Sequence, residues 1–149
     1  MEIEGYENYL IYEDGKVWSK NVKRYLKEKI NRHGYLHVEL CKDGIHKTHR
    51  IHRLVAEHYI PNPDNKKCVD HINRDKKDNR IENLRWATHS ENNQNTGVSK
   101  TNKLGIKNIC YDKSRDRYQY QKTDMGNIHT KHFKTLEEAI AYKEDYERE

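Results

Sequence analysis

The first fifty residues contain the pattern of short strands separated by turns. Residues 34–40 alternate polar and apolar side chains at period two, which predicts a strand with one buried face. The turn at Asp43 and Gly44 is typical of a tight hairpin, because this pair readily adopts a positive φ. Residues 46–52 would form the returning strand. We therefore predict a small antiparallel sheet in this segment.

A helical spacing replaces the alternation after residue 50. Ile51, Leu54 and Val55 recur at intervals of three and four residues, which places them on one face of a helix. Pro61 and Pro63 follow, and a proline cannot continue the helical hydrogen bonds. The pattern predicts a helix that ends near residue 60.

A second unit of two strands and a helix comes next. Residues 68–72 and 84–87 are short apolar runs that predict strands, and residues 73–83 between them form a polar loop. Thr88 or Ser90 is suited to cap a following helix, because its hydroxyl accepts a bond from a backbone N–H of the first turn. The order predicts a β-β-α unit around the polar loop.

The last third of the chain predicts a three-stranded sheet and one helix. Strand-like runs occupy about 105–111, 117–122 and 127–133, and turn residues separate them. Thr135 and Glu138 have the Thr-x-x-Glu spacing of a capping box, which opens a final helix.

Strand periodicity assigns the two faces of the middle strand of that sheet. Arg117, Gln119 and Gln121 share one face, and Tyr118 and Tyr120 share the other. We expect the tyrosines to pack on the helix, which leaves the polar face open to a partner. Three further side chains are expected on the open face: Lys107, His129 and Lys131.

Composition limits the size of the core. Hydrophobic residues make up 33% of the chain and charged residues 36%, whereas a globular protein is roughly 45–50% apolar and about 25% charged. This favours several small modules with thin cores over one large core. We predict a modular α+β fold in four segments: 1–50, 51–95, a linker at 96–103, and 104–149.

The sequence also argues against several classes of protein. No run approaches the roughly 18 apolar residues of a membrane span, and no apolar run follows the acidic residues 1–4, so we expect neither a membrane segment nor a signal peptide. Cys41, Cys68 and Cys110 lie far apart without a Cys-x-x-Cys pair, which argues against a disulfide framework or a structural zinc site. We expect buried free thiols in a reducing cytoplasm.

Charge is distributed unevenly along the chain. The net charge is +5. Residues 16–32 contain seven Lys or Arg and one acid, residues 96–134 contain nine and three, and residues 135–149 reverse the sign with two bases and six acids. Separate basic stretches indicate a polyanionic partner that is contacted at several places. A surface of solvated lysines is the alternative interpretation.

Asp70 and His71 end the short strand before the polar loop. Aspartate oxygens suit Mg²⁺ or Mn²⁺, and histidine accepts a proton near neutral pH. Neighbours on a strand point to opposite faces, so both side chains reach one ligand only where the strand ends or bulges. A purely structural pair is one alternative. A zinc site that joins His71 to His52 or His58 is another, although the helical histidines are more often packed core residues.

Four segments carry a recognisable motif. They are 52–63, Asp70-His71-Ile72-Asn73, Asn83-Leu84-Arg85-Trp86-Ala87-Thr88 and Ser90-Glu91-Asn92-Asn93-Gln94. Together they resemble the HNH nuclease motif, in the form found in homing endonucleases of phages and introns. The likeness covers about residues 50–95. It implies two strands and a helix around one divalent ion, the ββα-metal arrangement.

The resemblance implies a role for each matching residue. Asp70 would bind the metal, and His71 would be the general base that activates water. Asn83 would brace the loop through side-chain bonds to the backbone. Asn92 would complete the metal ligands through its amide oxygen, at a place where many HNH enzymes have histidine, and Asn93 is the nearest alternative. The implied cofactor is Mg²⁺ (or Mn²⁺), and the implied partner is double-stranded DNA.

The flanking segments resemble DNA-contact modules. Residues 3–9 and 14–19 are similar to part of a small nuclease-associated module that precedes HNH domains, and the likeness covers about residues 1–50. Residues 104–147 are similar to the ethylene-response-factor type of DNA-binding domain, a three-stranded sheet backed by a helix. The candidate DNA-binding residues in these modules and around the HNH loop are Lys23, Arg24, Lys27, Arg32, Arg80, Arg85, Lys107, Lys113, Arg115, Arg117, Gln119 and Gln121.

These features predict a divalent-metal-dependent HNH endonuclease that cuts double-stranded DNA at a specific site. A homing endonuclease that acts as a monomer, nicks one strand and works in the cytoplasm of a host cell fits the resemblance. The alternative is a sequence-specific DNA-binding regulator whose HNH unit is only a scaffold. An RNA-binding module is a further alternative, although the basic strands lack the closely spaced aromatic side chains that stack on single-stranded bases.

Overall fold

The computed structural model describes residues 1–148. The chain separates into two units, Met1–Asn95 and Thr96–Glu149. Within residues 1–148, the secondary structure consists of small antiparallel sheets, three α-helices and a short 3-10 helix (Ile81–Asn83). Among the described residues, no helix is long and apolar enough to cross a membrane.

Three antiparallel sheets belong to the first unit. Its strands are β1 (Glu2–Ile3), β2 (Tyr6–Ile11), β3 (Val17–Ser19), β4 (Arg24–Tyr25), β5 (Lys29–Ile30), β6 (Leu36–Lys42), β7 (Ile45–Arg50), β8 (Cys68–His71) and β9 (Leu84–Ala87). They are ordered β1-β2-β3-β4, β5-β6-β7 and β8-β9. The single sheet predicted for residues 1–50 is therefore wrong. The chain leaves the first sheet after Tyr25, where Leu26 packs against the core, and it begins the second sheet at Lys29.

The helices of the first unit follow strands without long connections. Helix α1 (Ile51–Tyr59) continues directly from β7, so the strand predicted at 46–52 ends at residue 50. Helix α2 (His89–Gln94) begins after β9. Thr88 caps α2, because its hydroxyl accepts a bond from the N–H of Glu91 while the Glu91 carboxylate accepts one from the N–H of Thr88.

One hydrophobic core joins the strands before residue 50 to the elements after it. Ile11 and Leu40 are fully buried, and they belong to the same cluster as Val55 of α1, Val69 of β8 and Leu84 of β9. The predicted division between residues 50 and 51 therefore falls inside this core.

The second unit is a three-stranded antiparallel sheet with a helix on one face. The elements are β10 (Ile109–Asp112), β11 (Arg117–Asp124), β12 (Asn127–Phe133) and α3 (Leu136–Arg148), and the sheet order is β10-β11-β12. Tyr120 is fully buried, with ring centroids 5.6 Å from Tyr142 and 5.8 Å from Tyr146. The predicted linker at 96–103 has neither helix nor strand.

Strand pairing assigns side chains to the open and helix-packed faces of this sheet. Gln119 pairs with His132, so His132 lies on the open face. His129 and Lys131 alternate with it and face the helix, where the His129 ring stacks on Tyr146 at 4.7 Å. The prediction that His129 and Lys131 lie on the open face is therefore wrong.

The three cysteines are free thiols, but they are less buried than we predicted. Cys41 and Cys68 are half-buried, and Cys110 is exposed. Cys110 pairs with Gln119 in the sheet, so it lies on the open face rather than under the helix.

Candidate functional site

Asp70 and His71 form the end of strand β8, and both are 5% exposed. Their side chains have different neighbours, as expected for consecutive strand residues. The carboxylate of Asp70 contacts Arg85 and Asn95, whereas the imidazole of His71 contacts Asn79. Because the strand ends at His71, the polar loop starts directly beside both groups.

The His71 imidazole is oriented by Asn79. Nε2–H of His71 donates to Oδ1 of Asn79 at 2.9 Å, and Asn79 is 4% exposed. The amide nitrogen of Asn79 donates to the Lys77 carbonyl, which turns the amide oxygen towards His71. The neutral ring therefore carries its unprotonated nitrogen at Nδ1, where it can accept a proton.

Two more rings pack around His71. The His52 ring lies 5.1 Å from it and the Tyr35 ring 6.0 Å, measured between centroids. Burial lowers the pKa of His52 to about 3, and the nearby positive charges of Arg50 and Arg53 add to the effect. His52 is therefore neutral at physiological pH, and it packs against His71 as an uncharged ring.

Asn83 lies at the base of the polar loop and is 7% exposed. Its Oδ1 accepts a bond from the backbone N–H of Asn73 at 2.9 Å, and its Nδ2 donates to the carbonyl of Asp78 at 2.8 Å. Both bonds run from the side chain to the backbone of the loop. They hold the two ends of the loop at a fixed separation next to His71.

The Asp70 carboxylate accepts bonds from two side chains. Arg85 donates through Nη2 at 2.8 Å and Nε at 3.0 Å, both to Oδ2. Asn95 donates through Nδ2 to Oδ1 at 2.9 Å and lies 3.1 Å from Oδ2. The Asp70 side chain is 6% exposed and that of Arg85 50%, so the carboxylate is reached from solvent mainly past Arg85.

Asn95 was not among the predicted site residues. Its Nδ2 also donates to the carbonyl oxygen of His71 at 2.8 Å. A carbonyl only accepts, so this bond fixes the amide nitrogen, rather than the amide oxygen, towards Asp70. The predicted ligand Asn92 lies three residues earlier on helix α2, on the same helix face, and its side chain is half-buried.

The chemistry of these side chains fits a hard divalent cation. Asp70 supplies a carboxylate, and Asn92 of helix α2 carries an amide oxygen that could join it as a ligand. Within residues 1–148, no group of three or more His, Cys, Asp or Glu side chains could hold a metal ion. One carboxylate and one amide oxygen from the protein suit an ion that keeps water and substrate oxygens as ligands, and they do not suit tetrahedral zinc. His58 was a candidate ligand in the alternative zinc site, but both of its ring nitrogens are already bonded, to the Leu54 carbonyl and the Glu4 N–H.

The predicted DNA-contact residues of the first unit are all on the surface. Four of them are exposed in or beside the short strands β4 and β5: Lys23, Arg24, Lys27 and Arg32. Arg80 is exposed as well, and its guanidinium pairs with Asp78 through two bonds of 2.8 Å. This pairing lowers the pKa of Asp78 to about 2, so the pair is ionised at neutral pH.

The predicted DNA-contact residues of the second unit lie on or beside the open face of its sheet. Arg117 and Gln121 are exposed there, and Nε2 of Gln119 donates to Oε1 of Gln121 at 3.1 Å. Lys113 and Arg115 are exposed in the turn between β10 and β11. Lys107, which precedes β10, is half-buried.

Comparison with known proteins identifies similar sequences. A family model described as HNH endonuclease matches residues 49–94. An uncharacterised HNH endonuclease of Acanthamoeba polyphaga mimivirus is 41% identical over 112 residues, 75% of this chain and 34% of that protein. The DNA endonuclease I-HmuI of Bacillus phage SP01 is 38% identical over 95 residues, 63% of this chain and 55% of that protein. The chain thus spans between a third and just over half of the length of these two relatives.

A solved structure is also similar. It is described as DNA binding and cleavage by the HNH homing endonuclease I-HmuI, and the TM-score is 0.62 at 30% identity. The likeness covers 95% of this chain and 81% of that chain, so it extends well beyond residues 49–94.

Proposed function

The chain belongs to the HNH endonuclease family, and we propose that it is a homing endonuclease that hydrolyses phosphodiester bonds of double-stranded DNA at a specific site. The observation that carries this proposal is the end of strand β8, where a buried carboxylate and an oriented imidazole are adjacent. The similar protein I-HmuI is described as binding and cleaving DNA, which supports DNA as the substrate.

His71 is the general base of the proposed reaction. Its Nε2–H is held by Asn79, so Nδ1 takes the proton from the attacking water. The buried position restricts the ring to one orientation, and Asn83 keeps the loop beside it in place. The residues therefore supply a base that is held in position by hydrogen bonds.

Asp70 would hold a divalent cation, Mg²⁺ or Mn²⁺, together with Asn92 of helix α2. When bound, such an ion stabilises the negative charge that develops on the phosphate oxygens and on the departing 3′ oxygen. Asp70 is suited to this role because its negative charge is buried at the end of a rigid strand and already attracts the Arg85 guanidinium.

The open face of the C-terminal sheet is the proposed surface for sequence reading. It presents Arg117, Gln119 and Gln121, whose side chains are suited to guanine and adenine edges in a major groove. The acidic helix α3 packs on the other face of the same sheet. Its carboxylates therefore do not share the open face, which is consistent with an approach to the phosphates.

One active centre cuts one strand in each binding event. We therefore propose that the protein acts as a monomer and nicks DNA, in the cytoplasm of the cell that hosts the mobile element. The basic residues Lys23, Arg24, Lys27 and Arg32 would contact phosphates outside the cut site, where they contribute affinity rather than sequence preference.

Cleavage of supercoiled plasmid that carries candidate target DNA tests the activity. The protein is incubated with Mg²⁺, with Mn²⁺ and with EDTA, beside the variants His71→Ala and His46→Ala. His46 is an exposed histidine of the same unit and serves as the matched control. We expect relaxed circles only with metal, from wild type and His46→Ala, and a loss of about 100-fold or more in His71→Ala. Tight binding of the target without cutting in any metal would contradict the proposal.

Salt-dependent DNA binding tests the proposed reading surface. Arg117→Ala should weaken binding and make the slope of log K against log salt less steep by about one, because one positive charge that neutralises DNA phosphate is lost. Arg148→Ala removes the same charge from helix α3 and should leave both quantities nearly unchanged. Equal losses in the two variants would place the DNA elsewhere.

A further inference from the structure

We propose that Arg85 exchanges between Asp70 and a DNA phosphate, and that this exchange couples metal binding to DNA binding. The inference rests on the proposed function. It adds a mechanism by which the protein binds metal only weakly in the absence of DNA. It starts from the ion pair in the structure, in which Nε and Nη2 of Arg85 both donate to a single oxygen, Oδ2 of Asp70.

The Asp70 carboxylate leaves little room for a second cation while Arg85 is bound. Asn95 occupies Oδ1, and the side chain of Asp70 is only 6% exposed. A divalent ion on the same carboxylate would lie within a few ångströms of the guanidinium, and two positive charges at that distance repel strongly in a partly buried site. Metal binding at Asp70 therefore requires Arg85 to leave.

The Arg85 side chain has space to move away from Asp70. Its side chain is half exposed, and it lines a cleft of about 400 Å³ together with Lys66, Trp86, Glu91, Gln94 and Asn95. Lys66 in this cleft pairs with Glu91 at 3.0 Å. Metal binding at Asp70 would therefore displace Arg85 from its carboxylate partner, whereas Lys66 would keep its partner Glu91. The planar guanidinium of Arg85 matches a phosphate, which makes a backbone phosphate beside Asp70 its natural new partner.

The exchange makes the two ligands cooperative. A phosphate that holds Arg85 exposes the Asp70 carboxylate and so raises the affinity for metal. By linkage, bound metal raises the affinity for DNA by the same factor. The free protein then binds metal weakly and the DNA-bound protein binds it tightly.

Mn²⁺ titrations of the 149-residue chain test the exchange. Affinity is measured by calorimetry and by electron paramagnetic resonance, without DNA and with a short mixed-sequence duplex at low salt. The variants are Arg85→Gln, Arg85→Lys and the control Lys66→Gln, which removes the same charge from the same cleft but leaves Asp70 paired. Arg85→Lys keeps the charge and controls for the change of side chain, and the effect of the duplex on wild type tests the exchange even if Arg85→Gln folds poorly.

We expect Arg85→Gln to bind Mn²⁺ about tenfold more tightly than wild type in the absence of DNA, because a charge-assisted pair no longer competes. Lys66→Gln should change this affinity less than about twofold, and Arg85→Lys should stay close to wild type. The duplex should tighten Mn²⁺ binding to wild type and have a much smaller effect on Arg85→Gln.

Two results would overturn the inference in distinguishable ways. If wild type nicks plasmid with metal but Arg85→Gln and Lys66→Gln bind Mn²⁺ equally, the exchange is wrong and the proposed function stands. If wild type neither cuts DNA nor binds Mn²⁺ with or without the duplex, the proposed function fails and the exchange fails with it.

Discussion

His52 is a buried imidazole whose Nδ1 has no hydrogen-bond partner among the described residues. It is neutral when folded, because its pKa lies near 3, and it becomes protonated in the unfolded chain below about pH 6.5. The unfolded state therefore binds more protons than the folded state between these two pH values. Stability from this residue is complete above pH 6.5 and falls as the pH drops towards 3.

The variant His52→Leu removes this titration. Its stability relative to wild type should increase by about 2 kcal/mol between about pH 7 and pH 5, at up to about 1.4 kcal/mol for each pH unit. Urea unfolding of both proteins across this range measures the difference. A difference that stays constant with pH would show that folding does not lower the pKa of His52.

Asn79 holds the ring of His71 through the acceptor Oδ1. Asn79→Ala should lower the cleavage rate by about 10- to 100-fold while DNA affinity stays unchanged, because the base loses its orientation. Asn79→Asp keeps an acceptor oxygen and should retain much more activity than Asn79→Ala. Plasmid nicking under single-turnover conditions gives the rates, and equal losses in both variants would contradict an orienting role.

Sequence spacing found the strand end but not every polar side chain around it. Asp70 and His71 follow an apolar run, so their place at the end of a strand was predictable. Asn79 and Asn95 lie in stretches with several asparagines, and side-chain type alone does not tell which amide turns inward. The helix α2 spans six residues. Asn95 directly follows this short helix, so spacing alone does not tell whether Asn92 or Asn95 contacts Asp70.

At the scale of elements, the turn between β2 and β3 supports the polar loop. The N–H of Ile81 donates to the carbonyl of Glu13 at 2.9 Å. Gly15 in the same turn has a φ of +86°, and a Cβ placed there would lie 3.0 Å from Cβ of Asn79 and 3.0 Å from Cγ2 of Ile51. A turn of the N-terminal sheet thus packs against the residue that orients His71.

Gly15→Ala should therefore affect both stability and catalysis. We expect a loss of about 2–4 kcal/mol in the free energy of unfolding, from the positive φ and the crowded Cβ together, and a reduced cleavage rate from displacement of Asn79. Gly44→Ala is the matched control, because Gly44 has a φ of +77° with no atom within 4 Å of the added Cβ. It should cost only about 1 kcal/mol and leave cleavage unchanged.

Elements with clear periodicity were predictable, and very short ones were not. Helix α1 and the strands β8, β9, β11 and β12 lie where the sequence patterns indicate, whereas β10 begins at Ile109 rather than near residue 105. Strands β4 and β5 contain two residues each, which is too few for an alternation to appear. Their assignment to different sheets depends on how Leu26 packs, and that is a property of the tertiary structure.

At the scale of the whole molecule, the first unit should fold only as a whole. A fragment of residues 1–95 contains all the residues of its core cluster, whereas a fragment of residues 51–95 lacks Ile3, Ile11, Val38 and Leu40. We expect cooperative thermal unfolding for fragment 1–95 and no cooperative transition for fragment 51–95, because the apolar partners of α1 are missing. Circular dichroism melts of the two fragments measure this. A cooperative transition in fragment 51–95 would show an independent domain.

The division of the chain into units could be predicted only in part. Composition indicated small modules, and the polar stretch at 96–103 marked a change between the two units. The sequence did not show that one hydrophobic core continues across residue 50, because a motif indicates the chemistry of side chains and not which apolar residues pack together. Val55 shows this: its helical spacing is visible in the sequence, but its partners on β2 and β6 are not.

The shared core of the first unit also determines which parts of such a gene could be exchanged by recombination. A crossover at residue 50 would join a helix to strands whose side chains did not evolve to pack against it, and would disturb the turn that holds Asn79. A crossover close to residue 95 would preserve that core and everything that surrounds His71. Under the proposed function, in which the C-terminal sheet reads the target, new target preferences would be acquired most easily by replacing the segment after residue 95, while the site at Asp70 and His71 is inherited intact with the first unit.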